Sequence, residues 1–201
     1  MNPIDLTPIK TRMQAARAAA ITEFREHRRP DPLLAELRRI VDQALRELVR
    51  LCPLPAGAAL AAVGGYGRGE LYPHSDVDLL ILLPQAPAPQ DEGAIEQLVA
   101  SLWDLGLEPG HSVRTIEDCE QEAQADITVE TALLESRWLA GSRSLMKRFE
   151  QAMHDRLDAR AFFQAKRVEM QQRHARHRDS PYSLEPNCKE SPGGLRDLQV
   201  I

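Results

Sequence analysis

Two carboxylates, Asp76 and Asp78, stand where a polar turn gives way to the apolar run at 79–83. On an extended strand residues i and i+2 point to one face. The pair therefore projects together, while Val77, Leu79 and Ile81 project to the other side. Further along, Leu80 and Leu82 occupy the acids' own face. A strand apolar on both sides is expected to be central in its sheet, with its acidic end exposed. Two close carboxylates resist ionising together unless a cation lies between them. Hard oxygen ligands suit Mg2+, which keeps waters and shares its coordination with substrate phosphates. Paired metals then activate an attacking oxygen and stabilise a leaving one during in-line displacement at phosphorus.

The residues just before the acids supply the other half of such chemistry. The stretch at 64–83 reads GGYGRGELYPHSDVDLLILL, with glycines at 64, 65, 67 and 69. Glycines let backbone amides approach phosphate oxygens without side-chain interference, and Arg68 within the turn offers a bidentate contact to further phosphate charge. Two familiar phosphate motifs fail here. The spacing from Gly64 to Gly69 matches the start of a P-loop, but Glu70 and Leu71 follow where Lys and Ser or Thr are needed. A repeat begun at Gly65 reaches Glu70 where the dinucleotide fingerprint requires its third glycine. A glycine turn alone is usually a tight connection, and an Asp pair alone is usually a solvated strand end. Their conjunction between two apolar strands points to a site for phosphate and metal.

The surrounding elements follow from pattern and punctuation. Residues 9–29, rich in Ala, Arg and Glu, read as a helix closed by Pro30 and Pro32. A second helix over 33–51 places Leu33, Leu37, Ile40, Val41, Ala44, Leu45 and Leu48 on one face, and CPLPAG ends it. Strands are expected at 58–63, 77–83 and about 111–115, with a helix before Gly106. Helical stretches flank RWLAG at 137–141, the second running unbroken from Ser142 to about Arg178. The expected fold is α+β: a small mixed β-sheet core flanked by helices, with N-terminal helices and a long C-terminal helix. The expected divisions are an N-terminal helical segment at 1–52, a core at 53–141, and a helical segment and linker at 142–201. Leu195, Leu198 and Ile201 fall in helical register after a Pro-Gly-Gly turn, so the natural protein is expected to continue past this point.

The 201 residues suffice for one sizeable core. A hydrophobic content of 43%, a charged content of 27% and a net charge of -5 describe an ordinary globular chain, with no general reason to expect nucleic-acid or anionic-membrane binding. Cys52, Cys119 and Cys188 are odd in number and far apart, which argues against a disulfide framework. The longest apolar run is too short to span a bilayer, and the N-terminus lacks the pattern of a secretory signal. A cytoplasmic location is expected.

Val63, Gly64 and Gly65, a ten-residue gap, and then Asp76, Val77, Asp78 and Leu79 resemble the signature of the DNA polymerase β-like nucleotidyltransferase superfamily. The longer string is similar to one branch, the bacterial PII uridylyltransferases. GHSVRTIEDC at 110–119, TALLESRWLAG at 131–141 and LEPNCKESPGGLRDLQ at 184–199 support that branch, the last most specifically because it lies outside the catalytic signature. The resemblance runs from about residue 20 onward and covers only the N-terminal part of the family protein. Full-length members continue into an HD phosphohydrolase domain that removes UMP and two ACT domains that sense glutamine. The resemblance implies that Asp76 and Asp78 hold catalytic Mg2+ and that Gly64 and Gly65 cradle the triphosphate of UTP. A tyrosine of the PII signal protein would then be the acceptor. Many superfamily members carry a third carboxylate on a later strand. HSVRT has none, leaving Glu135 and Asp126 as candidates, with Glu135 favoured because an acid in an apolar stretch needs a reason; the other reading is an exposed helix residue at 135 and no third carboxylate. Alternatives are a non-catalytic nucleotide-binding or regulatory module and adenylyl transfer, as in glutamine synthetase adenylyltransferase.

Other suggestive residues read as structural. His154 and Asp155 spell the HD dipeptide but lack the further ligands of a phosphohydrolase. His174, Arg176, His177 and Arg178 read as a solvated helix end, and His111 as a packed or partly exposed side chain. Trp103, Trp138, Phe162 and Phe163 are expected in the core.

Overall fold

The computed structural model describes residues 4–176 and 187–199. The chain divides into two compact units, Met1–Asp155 and Arg156–Ile201. The first opens with two helices, α1 (Thr7–His27) and α2 (Pro30–Leu51). Pro30, expected to close the first helix, starts the second, where its missing N–H costs nothing. The apolar face read from the sequence of α2 is buried throughout.

Among the described residues four strands follow: β1 (Ala59–Ala62), β2 (Val77–Leu82), β3 (Pro109–Arg114) and β4 (Arg137–Gly141). They form one mixed sheet in the order β3-β2-β1-β4. β1 runs antiparallel to both β2 and β4, and β2 runs parallel to β3. The architecture is α+β, as expected, and β2 is an interior strand. Its alternation sorts the core. Val77, Leu79 and Ile81 pack with α1, α2 and α4 (Pro89–Asp104). Leu80 and Leu82 pack with residues of α5 (Ile116–Ala125), α6 (Ile127–Leu134) and α7 (Arg143–Asp155). Gly64–Arg68 forms a five-residue helix, α3, between β1 and β2.

One segment left unassigned in the sequence takes a definite form, and two sequence expectations need correction. RWLAG is a strand, β4, whose pairing with β1 shifts register between Leu60 and Ala61; a short, bulged edge strand leaves little alternation to read. The helix expected from Ser142 to Arg178 breaks after α7 and resumes as α8 (Ala159–Arg176). Asp158 is the physical reason, because its carboxylate accepts the backbone N–H of Arg160 at 2.9 Å and of Ala161 at 3.1 Å and so caps a new helix. Trp103 and Phe163 are 56% and 58% exposed and so are not core residues, whereas Trp138 and Phe162 are half-buried. His111 is exposed. His177, Arg178 and Ile201 lie outside the described residues.

In the second unit, α8 and the short helix α9 (Leu195–Leu198) are tied by Arg173, a buried guanidinium that bonds Glu169 at 3.2 Å and Asp197 at 2.8 Å. His174 also reaches Asp197, at 2.8 Å, and the Gly193 N–H donates to it at 2.7 Å. Burial alone raises the Asp197 carboxyl pKa. The Gly193 N–H, the Arg173 guanidinium and His174 outweigh it and leave that pKa below its ordinary value.

Candidate nucleotidyl-transfer site

The end of the sheet where β1 leaves and β2 and β3 enter gathers the residues that the sequence singles out. After Ala62 the chain turns at Val63, whose N–H donates to the Asp78 carbonyl at 3.1 Å, and enters α3. Gly64 adopts φ +58°, a left-handed conformation that L side chains resist. A Cβ there would stand 3.8 Å from Asp78 Oδ2. On the opposite side, β3 pairs Gly110 with Asp78. A Cβ at Gly110 would lie 2.3 Å from Asp78 Oδ1, closer than any real contact. The half-buried Asp78 carboxylate thus occupies room that the missing side chain of Gly110 leaves for it, while a Cβ at Gly64 would make only an ordinary contact. Asp76 is exposed and precedes β2 by one residue. The loop leading to it is held by Arg17 of α1, which donates to the Pro73 carbonyl at 2.8 Å.

Arg68 sits at the far end of α3 and is engaged by two carboxylates, Glu135 at 2.6 Å and Glu70 at 2.9 Å. Burial works against the Arg68 cation, but the bonds to Glu135 and Glu70 outweigh it and raise its pKa. The acid in the apolar stretch thereby has its reason: Glu135, at the end of α6, answers Arg68. Asp126 has a different task. It caps the start of α6, accepting the Thr128 N–H at 2.7 Å, and the Thr128 hydroxyl and backbone bonds lower its pKa. Among the described residues no three His, Cys, Asp or Glu side chains gather into a group able to hold a metal ion. The pair Asp76 and Asp78 offers hard oxygens only, a donor type suited to Mg2+ completed by waters and substrate phosphates.

Sequence reasoning passed over the residues that support this end of the sheet. Asp42, on the otherwise apolar face of α2, is buried. It accepts the Tyr66 hydroxyl at 2.7 Å and a bidentate contact from Arg137 at 2.7 and 3.0 Å. Burial first, then the Asp42 charge, pushes the Tyr66 phenol well above its ordinary pKa. Only the presence of an acid among Ile40, Val41, Ala44 and Leu45 hinted at a partner. Gly110 carried no signal beyond its place at a strand entrance.

A mixed sheet with a glycine-rich connection feeding an Asp-x-Asp strand is the frame of the candidate site, and residues 40–134 match the family described as "Nucleotidyltransferase domain". The chain is also similar to bacterial bifunctional uridylyltransferase/uridylyl-removing enzymes. Residues 161–201 match the family described as "GlnD PII-uridylyltransferase". The enzyme of that bifunctional name from Bordetella avium (strain 197N) is 84% identical over all 201 residues, which make up 23% of its length. The one from Bordetella pertussis (strain Tohama I) is 79% identical over the same span and share. The one from Burkholderia mallei (strain SAVP1) is 55% identical over 192 residues, 96% of this chain and 22% of the relative. The chain therefore spans less than a quarter of the length of these curated relatives. Among solved structures, a toxin–antitoxin with AMP-PNP and a mutant of the toxin–antitoxin MntA-HpeT match at 15% and 14% identity. Each match covers 69% of this chain and 96% of the other, with a TM-score of 0.36.

Proposed function

We propose that this chain carries the transferase site of a PII uridylyltransferase, which moves UMP from UTP onto a tyrosine hydroxyl of the PII signal protein. The observation that carries the chemistry is the Asp78 carboxylate set between Gly64 and Gly110. The names UTP and PII rest on the relatives, whose printed name is that of a uridylyltransferase, and on the match at 161–201.

In the proposed reaction the tyrosine oxygen bonds to the α-phosphorus while the bond from that phosphorus to the bridging oxygen breaks. Pyrophosphate leaves, and the phenolic proton passes to a carboxylate oxygen, Asp76 and Asp78 being the acids in place. Gly64 and Gly65 present backbone amides to the triphosphate with no side chain in the way. Asp76 and Asp78 would hold Mg2+, which supplies charge neutralisation on the phosphates when bound. Arg68 contributes a cation at the rim of the seat by exchanging part of its contact with Glu70 or Glu135 for phosphate. Among the described residues no helix is long and apolar enough to cross a membrane, and the proposed partners are a protein and a nucleotide.

The test is incubation with PII protein, Mg2+ and labelled UTP or ATP. Transfer of UMP that disappears in Asp76→Asn and Asp78→Asn is the expected result. Preference for ATP would replace uridylyl by adenylyl transfer. A folded sample of the full-length protein that transfers neither nucleotide would leave only a binding module.

A further inference from the structure

The five residues of α3 cannot hold a helix by themselves, because helices of this length are unstable in water without tertiary support. The end of α3 is capped by the backbone, the Gly69 N–H donating to the Tyr66 carbonyl at 3.1 Å and the Glu70 N–H to the Gly65 carbonyl at 2.9 Å. One side chain ties this capped turn to the rest of the fold. Arg137, entering from β4, donates Nη2 to the Tyr66 carbonyl and Nε to the Gly67 carbonyl, each at 3.2 Å. Its remaining donors grip Asp42 of α2, and its guanidinium lies 5.2 Å from the Tyr66 ring centre. Tyr66, 2% exposed, closes the circuit by donating its hydroxyl to the same Asp42. Arg46 adds a second cation 3.6 Å from Asp42. Beneath the helix, Gly67 lies so close to the Glu135 carbonyl that a Cβ would stand 1.9 Å away.

We propose that Arg137, held by Asp42, is the positioning residue of the glycine turn: it fixes α3 so that Gly64 and Gly65 face the space beside Asp78. It touches no substrate and acts through the Tyr66 and Gly67 carbonyls. The planar guanidinium suits this task, since its fork serves a carboxylate and two carbonyls at once, whereas a lysine ammonium is a single point charge. The N-terminal helix α2 is by this route part of the site, through Asp42. The consequence for nucleotide binding rests on the function proposed above; the ordering of α3 does not.

The experiment therefore reads both in Arg137→Ala, Arg137→Lys and the parent protein. Hydrogen exchange of peptides covering 64–70 reports α3, and titration with UTP and Mg2+ reports the phosphate seat. Below its melting temperature, Arg137→Ala is expected to exchange faster over 64–70 while peptides of β2 stay protected. Its UTP affinity is expected to fall about tenfold or more, the loss of one to two hydrogen-bonding contacts. Added guanidinium should restore both readouts towards the parent values. If Arg137→Ala does not fold, Arg137→Lys decides, since it keeps the charge beside Asp42 and forfeits the paired carbonyl bonds. Unchanged exchange over 64–70 in a folded variant overturns the proposal, as does unchanged UTP affinity when the parent binds. A parent that binds no UTP sinks the function reading instead, and the exchange rates still decide the clamp.

Discussion

Replacing Gly110 by alanine tests the space around Asp78 without touching an acid. The added Cβ would lie 2.3 Å from Asp78 Oδ1 but 3.5 Å from its Cγ and 3.9 Å from its Cα, so the clash is confined to one carboxylate oxygen. Relief requires that oxygen to move by roughly 1 Å, the distance back to van der Waals contact. A carboxylate manages this by rotating about its side-chain bonds, at a cost of about 0.5–1.5 kcal/mol for leaving its preferred rotamer. Alanine meanwhile recovers roughly 0.5–1 kcal/mol of the backbone entropy that glycine loses on folding. The two contributions nearly cancel, and thermal stability should change little. Catalysis should not escape, because a 1 Å misplacement of a reacting or ligating group costs about 100-fold in rate. The assay is initial-rate UMP transfer at several Mg2+ concentrations, paired with a thermal melt. Gly93→Ala is the control: Gly93 is exposed in α4 with nothing within 4 Å of an added Cβ, so this change should stabilise the helix by about 0.5–1 kcal/mol and leave transfer alone. A Gly110→Ala protein with parental rate and parental Mg2+ response would refute the reasoning, since Asp78 would then have no need of its present position. A protein that lost activity only by unfolding would refute it equally.

The Asp197 carboxyl has its pKa lowered in the folded chain, so its contribution to stability is present above the ordinary carboxylate value and is lost as pH falls through the folded value. Exchange protection of peptides at 187–199 should therefore exceed that of Asp197→Asn near pH 7, and the difference should close on acidification below about pH 4. Cys52 and Cys119 are buried and Cys188 is exposed, with burial pushing the Cys119 thiol to about 12. Alkylation at pH 8 should thus label Cys188 in the native protein and all three only after denaturation, as mass spectrometry would read. Asp126→Ala should cost about 1 kcal/mol through loss of the α6 cap, measured by denaturant unfolding, and should leave UMP transfer within twofold of the parent. A large loss of transfer would instead make Asp126 the third carboxylate.

Periodicity carried most of the fold into the sequence. The apolar face of α2, the two-sided burial of β2 and the shared face of Leu80 and Leu82 all follow from local spacing, because burial repeats at the period of the element that is buried. β4 escaped because its five residues are bulged and lie at a sheet edge. The break at Asp158 escaped because one capping side chain outweighed a helical composition on both sides. The chemistry proposed for the site is likewise local. Two acids two residues apart and a run of glycines offer hard oxygens and open backbone, wherever the rest of the chain goes.

Tertiary structure decided what those residues need in order to work. Gly110 matters because a parallel strand from more than thirty residues away lays it against Asp78. Glu135, a candidate third carboxylate in the sequence, is paired with Arg68 only by the fold. Asp42 and Arg137, 95 residues apart, meet only in three dimensions, over the carbonyls of a helix too short to stand alone. The sequence by itself determined which groups carry charge and which backbone is open. The tertiary structure determined which charge answers which, because contacts between distant segments have no period to read.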